Sequence, residues 1–277
     1  MKIVSGEKLQ FLCDHFLGLR KHFTFNPNIK KYQEKFVYLE DLNEKNKLNN
    51  KKIVYCYSEN LKNLLFLKEK LSYLQNDFIL VLHNSDENFN NNCLELFNNP
   101  KLKKIYTQNM NVIHPQVFPL PIGQANSMWR HGDENLLNLI IELNYQKTQL
   151  IYFNFNINTN KEERLKCYQE IIKKNIVFQP TLDYFNYLKT LAQFQFAICP
   201  IGNGIDCHRF WECLYLKVIP ICLKYPLTVY YSKIFPVILL DKWEDLNVNN
   251  LNYQHFEFKD YYPELDLNYY QDLFFKD

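Results

Sequence analysis

The chain has 277 residues, enough for one large domain or two of ordinary size, and 47% hydrophobic and 16% aromatic content supplies a full core. Lys and Arg number 32 against 30 Asp and Glu, a formal +2, which lacks the basic excess of a dedicated nucleic-acid binder. No run approaches the roughly 20 apolar residues that span a bilayer, and MKIVSGEKLQ lacks the apolar core of a signal peptide, so a soluble, cytoplasmic protein is expected. The cysteines, at 13, 56, 93, 167, 199, 207, 213 and 222, form no Cys-x-x-Cys pair and read as reduced core thiols rather than disulfides or zinc ligands.

Residues 1–50 carry a mixed helical pattern, followed by an Asn- and Lys-rich surface loop, NEKNKLNNKK. Then the rhythm of an α/β protein begins. Ile53 to Tyr57 is a strand, Ser58 caps a helix with a stripe of Leu61, Leu64, Leu65 and Leu71, and Phe78 to Leu82 is a second strand. His83, Asn84, Ser85 and Asp86 follow it, at the carboxyl edge where ligands bind in open parallel sheets; by themselves they read as a helix cap. A helix around Leu94 to Phe97, the strand-like KKIYTQN and the proline-punctuated VIHPQVFPLPIG complete this half. The stretch QANSMWRHG breaks the pattern, which puts a boundary near residue 130 between a first domain, 1–130, and a second, 131–260.

In the second half, Asp133 or Glu134 opens a helix through Leu136, Leu137, Ile140 and Ile141, and Gln149 to Ile157 reads as a strand. Thr159 with Glu162 forms a capping-box pattern before KEERLKCYQEIIKK, with Arg164 near its start. The strand IVFQ and the helix DYFNYLKTLAQ follow, so strands alternate with helices throughout, the pattern of parallel sheets.

The stretch from Phe194 to Cys222 concentrates the chemistry. A buried strand through Phe196 and Ile198 ends at Pro200, Gly202 and Gly204, a turn that lets backbone N–H groups approach a ligand. Asp206 is the expected N-cap of a helix to about Leu216, whose buried face pairs Phe210 with Leu214 and Trp211 with Tyr215. His208, Arg209 and Glu212 project together near its start, where an anion is favoured; they suit a nucleoside diphosphate, with the two cations on phosphate and Glu212 accepting ribose hydroxyls. Alone, Arg209 and Glu212 would be an ordinary intrahelical ion pair, and the glycine turn ahead of them changes that reading. Cys207 occupies the place of the third glycine of a dinucleotide fingerprint, which sets NAD aside. The cysteines nearby have no zinc-ligand spacing, and no Asp-x-Asp triplet occurs, so no metal and no cofactor are expected.

This block resembles the nucleotide-sugar domain of exostosin-like glycosyltransferases, and more closely small relatives with the signature PxGNGxDCHRxWExLxxGxIPI. Pro200, Gly202, Asn203, Gly204, Asp206, Cys207, His208, Arg209, Trp211, Glu212, Leu214, Ile219, Pro220 and Ile221 fall in place, while Lys217 stands where the signature has glycine. The resemblance runs from about Ser5 to the late 240s. It implies a GT-B-like architecture of two Rossmann-like domains facing across a cleft, with residues 261–277 returning as a helix to the first domain. It implies inverting, metal-independent transfer of a sugar from a nucleoside diphosphate sugar to a hydroxyl of a glycan or other acceptor. The donor would be held by Arg164, through the match of NFNINTNKEER, and by Gly202, Asn203, Gly204, Asp206, His208, Arg209 and Glu212. Asn84, Ser85 and Gly123 would line the acceptor side, with Asp86 or His83 as general base, since the attacking hydroxyl must lose a proton. A catalytically degenerate nucleotide-sugar or glycan binder is the alternative, and a nucleotide-binding regulatory module a third reading.

Overall fold

The computed structural model describes residues 1–275. The elements in chain order are α1 (Gly6–Leu12), β1 (His15–Gly18), α2 (His22–Phe25), β2 (Phe36–Tyr38), β3 (Ile53–Tyr57), α3 (Leu64–Ser72), β4 (Phe78–His83), β5 (Leu102–Thr107) and β6 (Val117–Pro119). They continue with α4 (Glu134–Leu143), β7 (Gln149–Tyr152), α5 (Lys161–Ile172), α6 (Tyr184–Leu191), β8 (Phe194–Ile198), α7 (His208–Tyr215), β9 (Ile219–Leu223), α8 (Pro226–Tyr231), β10 (Ile238–Leu240) and α9 (Leu267–Phe275). The chain divides into two compact units, one of Met1–Ile122 with the residues from Asp266 on, the other Gly123–Leu265. The division lies upstream of residue 130 because Gly123 and Gln124 already bond within the second unit, to His208 and Tyr184.

The first unit is a six-stranded sheet in the order β2-β1-β3-β4-β5-β6, with parallel pairing throughout. Its centre, IVYCY against FILVLH, is buried along its whole length, as parallel strands covered on both faces require. Phe16, Tyr55, Val81 and Tyr106 belong to one core cluster that also takes in Tyr270 and Phe274 of α9. Each such aromatic buried contributes roughly 1.5–3 kcal/mol. The second unit is a four-stranded parallel sheet, β10-β9-β8-β7, around Phe153, Phe196, Ile221 and Trp243. The molecule is thus α/β and Rossmann-like, and among the described residues no helix is long and apolar enough to cross a membrane.

Several local expectations are corrected. Strands β1 and β2 lie in the region read as helical; at four and three residues, HFLG and FVY are too short to show a period of two. Residues 176–179 form no strand; Gln179 N–H bonds the Phe153 carbonyl at 2.7 Å and the Asn154 amide bonds the Gln179 carbonyl at 2.7 Å. Ser58 opens a 3-10 turn, and the cap of α3 is Asn63, whose side chain accepts from the Phe66 N–H at 3.1 Å. Asn160 rather than Thr159 caps α5, accepting from the Glu163 N–H at 3.4 Å. Helix α7 ends in a Schellman turn, with Val218 N–H on the Cys213 carbonyl at 2.8 Å and Lys217 N–H on that of Leu214 at 3.2 Å. Lys217 takes the left-handed conformation there, with φ of 53°.

Candidate functional site

The site in the second unit begins where β8 leaves the sheet. Its turn is closed by Gly202 N–H on the Gly204 carbonyl at 3.1 Å, and the Asn160 amide holds the Gly202 carbonyl at 2.8 Å. Arg164, projecting from α5, donates Nε to the Ile201 carbonyl and Nη1 to the Asn156 carbonyl, both at 2.8 Å, and lies 5.6 Å from the centre of the Phe155 ring. Its remaining nitrogen, Nη2, would sit 3.5 Å from a Cβ added to Gly202. The turn and the arginine predicted to share a ligand are therefore adjacent. Burial lowers the Arg164 pKa from its ordinary value, so the desolvated cation favours an anionic partner. Asn203 at the tip is exposed.

Asp206 does not cap the helix. Its Oδ1 accepts the Trp211 indole N–H at 2.8 Å, and the carboxylate is buried with that ring, so it fixes the core face of α7 rather than meeting a donor. The N-cap position falls to Cys207, which contributes no side-chain bond. His208 Nδ1 lies 2.8 Å from the Gly123 carbonyl, which accepts, so the proton is on Nδ1. Gly123, with φ of 63°, belongs to this unit and presents its carbonyl to α7 instead of standing on the opposite side from it. The other end of the same helix behaves alike, for Tyr215 Oη donates to the Leu265 carbonyl at 3.0 Å.

Deeper along α7 the polar groups are joined in a chain. Gln124 Nε2 donates to Tyr184 Oη at 3.2 Å, which donates to Glu212 Oε1 at 3.2 Å. Arg209 Nε donates to Tyr187 Oη at 3.2 Å, which donates to Glu212 Oε2 at 2.6 Å. Arg209 also donates Nη1 to the Asn154 carbonyl and lies over the rings of Tyr152 and Tyr187, at 5.4 and 5.3 Å. Glu212 is 3% exposed, and burial pushes its carboxyl up against the lowering effect of Tyr187, Arg209 and Tyr184. For Arg209 burial works against the charge, but Tyr187 and Tyr152 outweigh it and raise the pKa. The carboxylate expected to take ribose hydroxyls already accepts a tyrosine on each oxygen. His131 has its ring 5.9 Å from that of His208; burial first, and then that neighbour, lower its pKa against the raising effect of Glu212.

Tyr184, Tyr187, Tyr152, Gln124 and His131 were not anticipated. The signal for the first two was present, since Tyr184 and Tyr187 stand three apart on one face of α6, but a tyrosine pair reads as core until its hydroxyls have a partner.

At the carboxyl edge of the first unit the four predicted residues separate. His83 is fully buried, donates Nε2–H to the Pro121 carbonyl at 2.9 Å and accepts the Asn84 N–H on Nδ1 at 2.8 Å. With both nitrogens engaged and no exposure it cannot serve as a base, and its work is to fix the strand exit. Asn84 has φ of 57°, and its side-chain amide donates to Gln10 Oε1 at 3.2 Å. Helix α1 approaches so closely that a Cβ on Gly6 would lie 2.0 Å from Asn84 Oδ1, which is why glycine stands there. Ser85 Oγ accepts the Glu87 N–H at 3.4 Å. Asp86 alone of the four is exposed, on the loop leaving β4. Among the described residues no three His, Cys, Asp or Glu side chains converge to hold a metal ion. No family model matches the chain, and no curated protein matches it.

Proposed function

We propose that the chain is a glycosyltransferase of the exostosin-like, GT-B type, with the units facing across a cleft, and that it moves a sugar from a nucleoside diphosphate sugar to an acceptor hydroxyl with inversion and without a metal. The observation that carries this reading is Arg164 beside the bare turn at Gly202, at the carboxyl end of β8 and ahead of α7. There the diphosphate would meet backbone N–H groups and the Arg164 guanidinium, which stabilise the charge that builds on the leaving oxygen as the anomeric bond breaks. The acceptor oxygen forms the new bond and its proton passes to Asp86, the exposed carboxylate of the first unit's strand edge. Arg209 and Glu212, bound to Tyr187, support the site from beneath rather than touching the donor.

A second reading is favoured by the same hydrogen bonds. Two of the groups expected to contact substrate, His83 and Glu212, have their polar atoms already committed, which suits a protein that binds a nucleotide sugar without turning it over.

Thermal-shift screening against nucleoside diphosphates and their sugars, followed by donor hydrolysis and transfer assays with excess chelator, separates the two. Turnover that survives chelation and falls in Asp86→Asn, with nucleotide affinity kept, supports the enzyme. Nucleotide binding without turnover supports the binder, and no nucleotide binding in wild type, or unchanged binding in Arg164→Ala, overturns both.

A further inference from the structure

The first unit has a reversal in strand order at β1, with β2 on one side and β3 on the other. Such a reversal is where open parallel sheets leave room for a ligand outside the carboxyl ends of their strands. The crevice between the exits of β1 and β3 is filled: His22 lies with its ring 4.6 Å from that of Tyr57, accepts the Leu19 N–H at 3.0 Å and pairs with Glu59 at 2.9 Å. The open space is on the other side of β1, a pocket of about 460 Å³ between the loop after β1, α2, and β2 with the segment that leads into it. That volume suits a small organic molecule.

Its chemistry is specific. Phe23 and Phe36 stack at 4.2 Å, and Tyr38 meets Phe23 edge-on at 5.4 Å, giving an aromatic wall. Arg20 lies 4.3 Å above the Tyr38 ring, and its Nη2 is paired with both oxygens of Asp41, at 2.7 and 2.8 Å. Lys30 also faces the pocket, and its ammonium has no ion-pair partner among the described residues; none of the described lining residues is a carboxylate, the nearby Asp41 and Glu40 being bound to Arg20.

We infer that this pocket is a second binding site, taking a small ring compound that carries a phosphate or carboxylate, with the anion on Lys30 and the ring against Phe36 and Tyr38. It lies within the first unit and does not depend on the proposed sugar transfer.

The test uses the full chain and calorimetric titration with phenyl phosphate and phenylacetate, with inorganic phosphate and benzyl alcohol as controls. One or both anionic ring compounds should bind saturably, and whichever binds tighter identifies the anion. The controls should bind at least about tenfold more weakly, since each lacks one of the two contacts. Lys30→Gln, an exposed change, should weaken the tighter probe about tenfold, as loss of a charge-assisted contact does. Phe36→Leu, with its thermal melt checked, should weaken it too, and Arg164→Ala should leave it unchanged. No saturable binding of either anionic ring compound, equal binding of inorganic phosphate, wild-type affinity in Lys30→Gln, or loss in Arg164→Ala would each overturn the assignment.

Discussion

Tyr187 joins the two charges of α7, and its hydroxyl cannot be replaced by packing. Tyr187→Phe leaves Arg209 Nε and Glu212 Oε2 each short of a partner, at about 1–3 kcal/mol in urea unfolding. The loss should depend on pH. The Tyr187 hydroxyl lowers the Glu212 pKa, so its removal lets the folded variant hold that proton to higher pH than folded wild type. A raised folded pKa gives stability present in acid and lost as pH rises, so the deficit should grow as pH rises above 4.5, the ordinary value of this carboxyl, through its titration in the folded protein. A deficit independent of pH would mean that Glu212 is not the titrating group. Lys217 makes the opposite case, for its left-handed φ of 53° serves the Schellman turn at a cost no side-chain contact requires. Lys217→Gly should stabilise by about 1 kcal/mol, read as a rise in melting temperature. A lower melting temperature would show that the lysine side chain contributes more than its backbone costs.

Helices α6 and α7 share one counter-ion at their ends. Lys147 donates Nζ to the C-cap carbonyls of both, Ala192 at 2.6 Å and Leu216 at 2.7 Å. Burial brings its pKa down to about 8 from 10.5, with a smaller lowering from Lys217 and an opposing effect of Cys213. The unfolded chain therefore holds this proton more tightly, and stability should rise with pH from about 8 to about 10.5. Lys147→Met should abolish that rise and cost about 1–2 kcal/mol at neutral pH, because two carbonyls lose their donor. An unchanged slope in the variant would assign it elsewhere. Sequence reading reached elements of this kind unevenly. The apolar runs of β3 and β4 announce buried parallel strands, whereas β1 and β2 carry too few residues to show a period. The glycine turn was legible because it is fixed by local sequence, whereas Arg164 was set beside it only through the resemblance, since α5 and the turn are far apart along the chain. The roles of Glu212 and His83 were not, since what decides them is which distant hydroxyl or carbonyl the fold brings to each atom.

At the scale of the molecule, the polypeptide enters the second unit at Gly123 and leaves it at Leu265, and both carbonyls are held by α7, at His208 and Tyr215. Entry and exit are thus moored to the two ends of one helix about 12 Å long. On the other side of the breaks, the Pro121 carbonyl is held by His83, while Asp266 accepts the Lys2 N–H at 3.3 Å. Each break is therefore fastened from within its own unit, so residues 123–265 should behave as a cassette, an insertion removable without unravelling either edge. Expressed alone, residues 123–265 should give a cooperative melt and a dispersed amide spectrum, and a short Gly-Ser bridge from Ile122 to Asp266 should leave a folded six-stranded remainder. Loss of folding in the excised cassette carrying His208→Ala and Tyr215→Phe, but not in the same double variant of the full chain, would identify these two bonds as the moorings. The same folding in all four proteins would show that the cassette closes without them.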